Sequence, residues 1–326
     1  MLVLVCGMHR SGSTLVWQVT RQLLDGRPGL RNPHGIPSGD FPAAAADPED
    51  LLLAKIHYRH GLPEGDFPQE GALYLYTYRD VRDVVASLFR KARLKEGSPR
   101  RGPATSRTIA RREIHGDAFW LQRGSVWAGR YEEIQGDLAG LVRSLADFLS
   151  VDVTDERVAE IAEFVTLEQQ QERVWQWRHE GVNPDLRVTA NHITDGREGA
   201  WRDTLTTDEL EAIEDLSAVW LFERDYPVET PLGRRKTAGL RKPRRHTSSG
   251  TPQPVALTPE PRRSNRQRWA FPLLATSALF ALLGLLATVA VPAVSPVAWV
   301  LALGCALPAG YLRGRHGRAV VPHWRR

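Results

Sequence analysis

Near its amino terminus the sequence reads Val3-Leu4-Val5-Cys6-Gly7-Met8-His9-Arg10-Ser11-Gly12-Ser13-Thr14-Leu15. The apolar run at its start is typical of a short buried strand, and a helical pattern begins at Thr14. A turn bracketed by Gly7 and Gly12 joins the two. Such a turn points successive backbone N–H groups at one place, where the helix dipole adds positive potential. The stretch therefore predicts a strand–turn–helix unit that binds phosphate or a similar anion.

Two other interpretations of this turn remain open. The glycines can serve the geometry of a strand-to-helix turn alone. The spacing of Gly7 and Gly12 also fits the P-loop of nucleotide triphosphatases, but that pattern has a lysine where Ser13 stands. The basic residue lies inside the loop instead, as Arg10, and this favours a phosphate donor other than ATP or GTP.

Short apolar runs alternate with amphipathic stretches over residues 1–228. Four runs predict buried strands, at 2–6, 51–56, 73–78 and 125–127. Apolar residues at three-to-four spacing predict helices over 14–24, 81–91, 138–149, 155–172 and 207–220. Capping sequences stand at 152–155 and 206–209. This alternation predicts an α/β fold around a largely parallel sheet.

The net charge of +5 is unevenly distributed along the chain. Residues 1–230 hold 27 basic and 37 acidic side chains, residues 231–268 hold 11 and 1, and residues 269–326 hold 5 and none. The pI of about 9.4 is therefore a property of the carboxy-terminal part. An acidic main domain repels a polyanion on average, so the charge argues against nucleic acid as a partner.

Only two cysteines are present, Cys6 and Cys305. This excludes a secreted cystine framework and a cysteine-rich metal site, and it favours reducing surroundings. Met1 leads directly into the first apolar run without a basic segment or a cleavage site, so we expect no signal peptide.

Residues 269–312 contain no charged side chain and no Asn or Gln over 44 residues. A proline-containing break at 292–296 divides them into the runs 271–291 and 297–312, about 31 Å and about 24 Å long as helices. We expect a two-helix membrane hairpin; a buried hairpin in a soluble protein is the alternative. Basic residues flank it on both sides: Arg262, Arg263, Arg266, Arg268, Arg313, Arg315 and Arg318. By the positive-inside rule both ends, and with them the main domain, face the cytoplasm.

Between the main domain and the hairpin, residues 229–268 are rich in Pro, Arg, Ser and Thr and predict a disordered linker. Its basic residues can bind anionic membrane lipids, each contributing about 1 kcal/mol of binding free energy. Alternatively, the segment is a solvated spacer without lipid contact. Residues 313–326 form a basic cytoplasmic tail in this interpretation.

The glycine-bracketed turn resembles the phosphosulfate-binding loop of sulfotransferases that use 3′-phosphoadenosine 5′-phosphosulfate (PAPS), which reads Lys/Arg-Ser-Gly-Thr/Ser-Thr after the first strand. The matching residues are Arg10, Ser11, Gly12, Ser13 and Thr14. In the same family an Arg at a strand end and a Ser eight residues later bind the 3′-phosphate. Arg79 and Ser87 match that pair, although Val81 replaces the family's proline. The neighbouring Arg82 and Asp83 are interpreted as a surface pair.

A third similarity is Lys55-Ile56-His57 at the end of the second predicted strand. The family's Lys-Thr-His segment supplies the histidine that deprotonates the acceptor, so the resemblance assigns that role to His57. An ordinary imidazole, with a pKa near ~6.5, is largely neutral at cytoplasmic pH and can accept a proton. His60 or a carboxylate stays an alternative base.

Two looser similarities follow. Tyr131, in Arg130-Tyr131-Glu132-Glu133-Ile134, matches a tyrosine that contacts the adenine side of the donor, although a core tyrosine explains it as well. Gly196 and Arg197 lie in a stretch that resembles the late loop over the 3′-phosphate, or else a capped turn before the last helix. Thr194 and Asp195 stand there in place of the family's Arg-Lys, which puts the cationic contact in doubt.

The segment 91–112 holds eight basic residues and one acidic residue, with Gly and Pro between them. We expect a mobile loop here, either a lid that attracts an anionic ligand or a solvated loop beside lipid headgroups.

The resemblance implies that residues 1–228 form a three-layer, parallel-sheet, P-loop-like sulfotransferase domain. It would move a sulfuryl group from PAPS, without a metal, to a hydroxyl or amine of a small-molecule, carbohydrate or lipid acceptor. His57 would be the base, and Arg10 with the loop N–H groups would stabilise the departing phosphate. The alternatives are a P-loop nucleotide or small-molecule kinase and an inactive membrane-tethered nucleotide-binding scaffold.

Overall fold

Five strands form one sheet in the computed structural model, which describes residues 1–33, 35–47, 49–57, 61–177, 186–188, 193 and 196–241. The strands are β1 (Leu2–Gly7), β2 (Leu30–Arg31), β3 (Leu51–Lys55), β4 (Ala72–Tyr78) and β5 (Val126–Arg130). Their order is β2-β3-β1-β4-β5, and every pair is parallel. The prediction of a parallel α/β sheet is confirmed, with β2 as the strand that the sequence pattern did not reveal.

Ten α-helices accompany the sheet within the described residues. They are α1 (Ser13–Leu23), α2 (Phe41–Ala46), α3 (Val81–Lys91), α4 (Pro103–Leu121), α5 (Tyr131–Gly136), α6 (Leu138–Leu149), α7 (Asp155–Phe164), α8 (Leu167–Gln176), α9 (Thr207–Glu223) and α10 (Pro231–Thr237). None of them is both long and apolar enough to cross a membrane. The predicted hairpin 269–312 and tail 313–326 lie outside the described residues.

Side chains of the central strands alternate between two apolar layers, as the strand period requires. Val3 and Val5 of β1 face a core that includes Trp17 of α1 and Leu145 of α6. Leu2, Leu4 and Cys6 face the opposite layer with Phe41 of α2 and Trp120 of α4. Because both faces of β1 are fully buried, the run from Leu2 to Cys6 reads as continuously apolar.

The segment between α3 and α5 corrects the expectation of a loop over 91–112. The helix α4 begins at Pro103, a position where proline is favoured because its missing N–H is not needed. Two of the basic residues are used to pack this region on α9: Arg101 pairs with Glu209 at 2.8 Å and Arg107 with Asp215 at 2.6 Å.

The helix predicted over 155–172 is two helices. It ends at Phe164, and Thr166 begins α8 by accepting a hydrogen bond from the backbone N–H of Gln169. Hydroxyl caps of this kind start helices rather than continue them. The predicted caps at Thr154 and Thr206 are confirmed, and Thr206 forms a capping box with Glu209.

Ordered structure continues past residue 228, into the segment predicted as a linker. Thr230 caps α10, and the buried carboxylate of Glu214 on α9 accepts hydrogen bonds from the backbone N–H groups of Glu229 and Thr230. The remainder of that segment, from residue 242, lies outside the described residues.

Arg82 and Asp83 are completely buried, which corrects their interpretation as a surface pair. Arg82 donates to Asp80 and Glu214, both at 2.6 Å, and its guanidinium lies 4.3 Å from the centre of the Trp201 ring. The Arg82 network, namely Arg82 with Asp80 and Glu214, thus joins the start of α3 to α9.

Loss of the Arg82 side chain leaves two buried carboxylates without their cation. We expect Arg82→Ala to lower the free energy of unfolding by about 3–5 kcal/mol. Urea denaturation followed by tryptophan fluorescence measures this. Arg143→Ala is the matched control, because the Arg143–Asp155 pair is exposed, and its effect should stay within about 0.5 kcal/mol. Equal effects of the two variants would contradict the structural role of the network.

Candidate functional site

A cavity of about 290 Å³ opens where β1, β3 and β4 end at their carboxyl edge. Ligands of parallel α/β sheets bind at this edge because loops and helix starts converge there. The side chains that line it are His9, Arg10, Gly12, Ser13, Thr14, Leu15, His57, Arg79, Leu88, Lys91, Tyr131, Gln135, Val165, Leu167, Gln170, Val188, Ile193 and Gly196.

The loop between β1 and α1 depends on glycine at both ends. Gly7 has φ +136°, and a Cβ there would lie 2.3 Å from the carbonyl oxygen of Thr77, so no other residue fits. Gly12 has a left-handed conformation at the start of α1. Ser11 is buried; its hydroxyl donates to the carbonyl of Met8 in the loop at 2.6 Å and lies 2.7 Å from the hydroxyl of Thr77 on β4. Among the predicted loop residues, Ser11 thus shapes the loop while its neighbours face the cavity.

The first turn of α1 faces the cavity without a side-chain cap. Gly12, Ser13 and Thr14 line the space in front of it. Backbone N–H groups at a helix start have no acceptor within the helix, and they carry partial positive charge. The predicted strand–turn–helix unit is therefore present, and its uncapped helix start lies at the cavity.

Arg10 stands in this loop with a left-handed backbone, φ 62°. Its Nε donates to the hydroxyl of Ser87 at 2.9 Å, so the structure joins two residues predicted from separate motifs. Burial, followed by the repulsion of Arg79, lowers the pKa of Arg10 to about 10.

Arg79, at the end of β4, is buried and lies beside the same cavity. Its guanidinium donates to the backbone oxygens of Arg10 and Arg197 at 3.3 and 2.8 Å and lies 4.1 Å from the centre of the Tyr131 ring. Its Nε is buried without a hydrogen-bond partner among the described residues. Such an orphaned cationic N–H is costly unless a ligand satisfies it.

Lys55, the last residue of β3, donates to the hydroxyl of Thr14 at the start of α1. Burial, then the repulsion of Arg187, Arg10 and Lys91, lowers the pKa of Lys55 to about 7. Lys91, at the end of α3, also has a lowered pKa, through burial and then Arg10.

The charges around the cavity are unbalanced. Arg10, Arg79 and Lys91 line it and Lys55 lies behind Thr14, whereas no Asp or Glu is among the described lining residues. Within the described part of the chain, no cluster of His, Cys, Asp and Glu could hold a metal ion. The site therefore fits a ligand with several negative charges.

His57 follows β3 and lies at the cavity beside His9 of the loop. The rings stack with their centroids 4.4 Å apart. His57 Nδ1 is 3.3 Å from the carbonyl oxygen of Gly7, and His9 Nδ1 is 3.1 Å from the carboxylate of Glu113 on α4. His60, the alternative base, lies outside the described residues.

The late loop is tied to α3 and α5. Asp83 accepts hydrogen bonds from the N–H groups of Gly199 and Trp201 at 2.8 and 2.9 Å, and the Tyr131 hydroxyl donates to Gly196 at 3.1 Å. Arg197 contributes its carbonyl to Arg79, whereas its guanidinium pairs with Asp203 at the surface. Thr194 and Asp195 lie outside the described residues.

The end of the cavity nearest α8 is mainly apolar. Leu15, Val165, Leu167, Val188 and Ile193 line it, together with the amides of Gln135 and Gln170. Apolar walls with a few amides suit a flat heterocycle such as a purine. The cavity thus combines a cationic part and an apolar part.

Four site residues were absent from the sequence-based set: His9, Asp83, Lys91 and Glu113. His9 was inside the quoted turn, but nothing in the sequence pointed to a partner for it. Glu113 is 104 positions away, on a helix whose first part, up to residue 112, was predicted as a loop. Asp83 had been read as exposed, since a helix pattern does not reveal which charged residues meet another loop.

Several solved structures are similar to this chain in fold. No curated protein sequence matches the chain. Mouse sulfotransferase SULT7A1 complexed with PAP superimposes with a TM-score of 0.52 at 16% identity, over 72% of this chain and 86% of that one. Retinol dehydratase gives TM-scores of 0.46 with androsterone and PAP and 0.47 with retinol and PAP, at 19% and 20% identity, over 70% of this chain and 82% and 83% of those chains.

The family itself is established by sequence. Residues 36–221 match the profile described as "Sulfotransferase domain", which is more than half of the chain. This confirms the resemblance that the loop and the Arg79–Ser87 pair had indicated, and it leaves no support for the nucleotide kinase alternative. The chain belongs to the sulfotransferase family.

Proposed function

We propose that this sulfotransferase moves the sulfuryl group of PAPS onto a hydroxyl or amine of an amphiphilic, membrane-associated acceptor. Its family makes PAPS the donor. The observation that carries the proposal is the set of cations, Arg10, Arg79, Lys55 and Lys91, around a cavity with no described acidic lining residue.

Arg79 and Ser87 would bind the 3′-phosphate of the donor. The orphaned Nε of Arg79 supplies a donor in a buried position, where a charge-assisted hydrogen bond is strong. The Ser87 hydroxyl already accepts a hydrogen bond from Arg10 Nε, and it would be the second protein group at this phosphate. This arrangement would discriminate against ATP, which has no 3′-phosphate.

The purine would lie in the apolar part of the cavity. Leu15 and Leu167 offer apolar walls there, and the amide of Gln170 can hydrogen bond a ring edge. Tyr131 also lines the cavity; its ring lies on the Arg79 guanidinium and its hydroxyl donates to the carbonyl of Gly196. Adenosine and 3′-phosphate would thus be recognised by adjacent groups.

The reaction would take place at the loop between β1 and α1. The acceptor oxygen or nitrogen attacks sulfur, a new bond to sulfur forms, and the bond between sulfur and the 5′-phosphate oxygen breaks. His57 would take the acceptor proton on Nε2. Arg10, Lys55 and the N–H groups at the start of α1 would stabilise the charge on the departing phosphate.

The acceptor class is inferred from the sequence beyond residue 241. The uncharged stretch 269–312 would hold the enzyme at a membrane as a hairpin, with the domain on the cytoplasmic side. The basic residues of 242–268 would contact anionic lipids. Anchoring raises the local concentration of any acceptor in the same bilayer, such as a glycolipid or a lipid-linked sugar.

Donor selection is tested with PAP, the 3′-phosphoadenosine 5′-phosphate that remains after transfer. PAP should raise the melting temperature of the full-length protein by several degrees, and ADP at the same concentration should raise it much less, because ADP leaves Arg79 without its phosphate. Arg79→Met should remove most of that difference. Arg143→Met is the control, since Arg143 is exposed and pairs with Asp155 outside the cavity. Equal stabilisation by PAP and ADP would contradict the proposed donor site.

The charge of Lys55 should make donor binding pH-dependent. With a pKa of about 7 in the free protein, Lys55 is mostly neutral at pH 8, and a bound anion raises that pKa again. Binding then takes up a proton, so the affinity for PAP should fall by up to about tenfold per pH unit above pH 7. Calorimetry in buffers of different ionisation enthalpy measures the uptake. If the affinity for PAP falls as steeply from pH 7 to 9 in Lys55→Met as in the unmodified protein, a group other than Lys55 takes up the proton.

Transfer itself is measured with ³⁵S-PAPS and a membrane lipid extract. The full-length enzyme should label amphiphilic products that mass spectrometry shows to carry an added SO₃, and it should stay with membranes after a carbonate wash. His57→Ala and Arg10→Ala should lower the rate at least about 10²-fold while the protein stays folded. Unchanged transfer in both variants would contradict the mechanism, and PAP binding without any transfer would indicate an inactive scaffold.

A further inference from the structure

Glu113 and His9 form a pair that the proposed reaction does not use. One carboxylate accepts two hydrogen bonds from the same residue: the backbone N–H of His9 at 2.9 Å and, at 3.1 Å, its Nδ1. The side chain of Glu113 is only 3% exposed, and Arg112 also donates to it at 2.9 Å. Hydrogen bonds from His9 outweigh the effect of burial and lower the pKa of Glu113, so the carboxylate is ionised.

This clamp fixes both the backbone and the ring of His9. An ionised carboxylate accepts, so the proton of His9 on this side is on Nδ1. The ring can then neither rotate about χ2 nor leave its rotamer without breaking a charge-assisted hydrogen bond. The His9 ring therefore has a fixed orientation at the edge of the cavity.

The ring of His57 lies against the ring of His9. Its ring is stacked on His9 with centroids 4.4 Å apart and planes 27° from parallel. Its Nδ1 contact with the carbonyl oxygen of Gly7 is long, at 3.3 Å. Because a carbonyl only accepts, that contact requires the proton on Nδ1 and leaves the lone pair on Nε2, the form that a general base needs.

We propose that the Glu113–His9 pair is the positioning device for His57: Glu113 clamps His9, and the His9 ring holds the base by stacking so that Nε2 faces the cavity. The inference rests on the role of His57 in the proposed function. It adds Glu113 and His9 as residues that act through His57. His9 contributes the shape of its ring, and it does not transfer a proton. A base displaced by about 1 Å can lose about 10²-fold in rate.

Substitutions that separate shape from chemistry test the inference. His9→Ala removes the stacking surface, and His9→Phe keeps a ring but has no titratable nitrogen. With water as the acceptor, we measure single-turnover release of ³⁵S-sulfate from saturating PAPS by the full-length protein. His9→Ala should lower the rate about 10–10²-fold with the Kd for PAP unchanged, and His9→Phe should stay within about fivefold of the unmodified protein. The control is His115→Ala, because His115 is an exposed histidine on α4, the helix that carries Glu113.

A second measurement does not depend on turnover. In full-length protein labelled with ¹⁵N-histidine, long-range ¹H–¹⁵N spectra report the tautomer of His57, whose signals are identified by their loss in His57→Ala. We expect one tautomer, with the proton on Nδ1, in the unmodified protein and in His9→Phe, and a mixture in His9→Ala.

The outcomes separate the alternatives. If folded His9→Phe is as slow as His9→Ala with the same Kd for PAP, the imidazole itself is required and the positioning role is wrong. An unchanged rate and tautomer in His9→Ala would also overturn it. If the unmodified protein neither releases sulfate to water nor labels any acceptor in the membrane lipid extract, the proposed function fails, while the His57 tautomer still supports or contradicts the clamp.

Discussion

Positive charge gathered at a cavity that no described Asp or Glu lines is the constraint around which this site is built. Arg10 and Arg79 face one cavity, and Lys55 lies directly behind its loop. Burial and mutual repulsion lower the pKa of Arg10 to about 10 and that of Lys55 to about 7. Cations brought together in this way would separate if their supports were mobile. Each one is therefore attached to the end of a strand or to the loop that follows it.

Backbone carbonyl and hydroxyl oxygens accept the hydrogen bonds that orient these cations. Arg79 donates to two backbone carbonyls, Arg10 to the Ser87 hydroxyl and Lys55 to the Thr14 hydroxyl. Neutral acceptors fix the direction of a cation without cancelling its charge, so the charge remains for the ligand. Two acidic residues lie at the start of α3. Asp80, its cap, binds Arg82, and Asp83 binds the late loop and forms an ion pair with Arg79 at 3.6 Å.

Local patterns in the sequence were sufficient for most of the fold and for several residues that line the cavity, among them Arg10, Arg79 and Tyr131. Gly7 and Gly12 marked a turn that requires glycine, and the motif match marked Arg79 at the end of β4. The Glu113–His9 contact could not be predicted, because it joins residues 104 positions apart through packing of α4 on the sheet. Arg82 was misread for the same reason: its partner Glu214 comes from the last long helix.

The two faces of the sheet supply different groups to the cavity. Val165, which lines the cavity, belongs to the layer that contains α1 and α7, whereas Glu113 comes from α4, which packs in the opposite layer. His57 and His9 follow adjacent strands, β3 and β1, and Glu113 binds His9 from the α4 side. The packing of α4 on the sheet is therefore what connects Glu113 to the loop between β1 and α1.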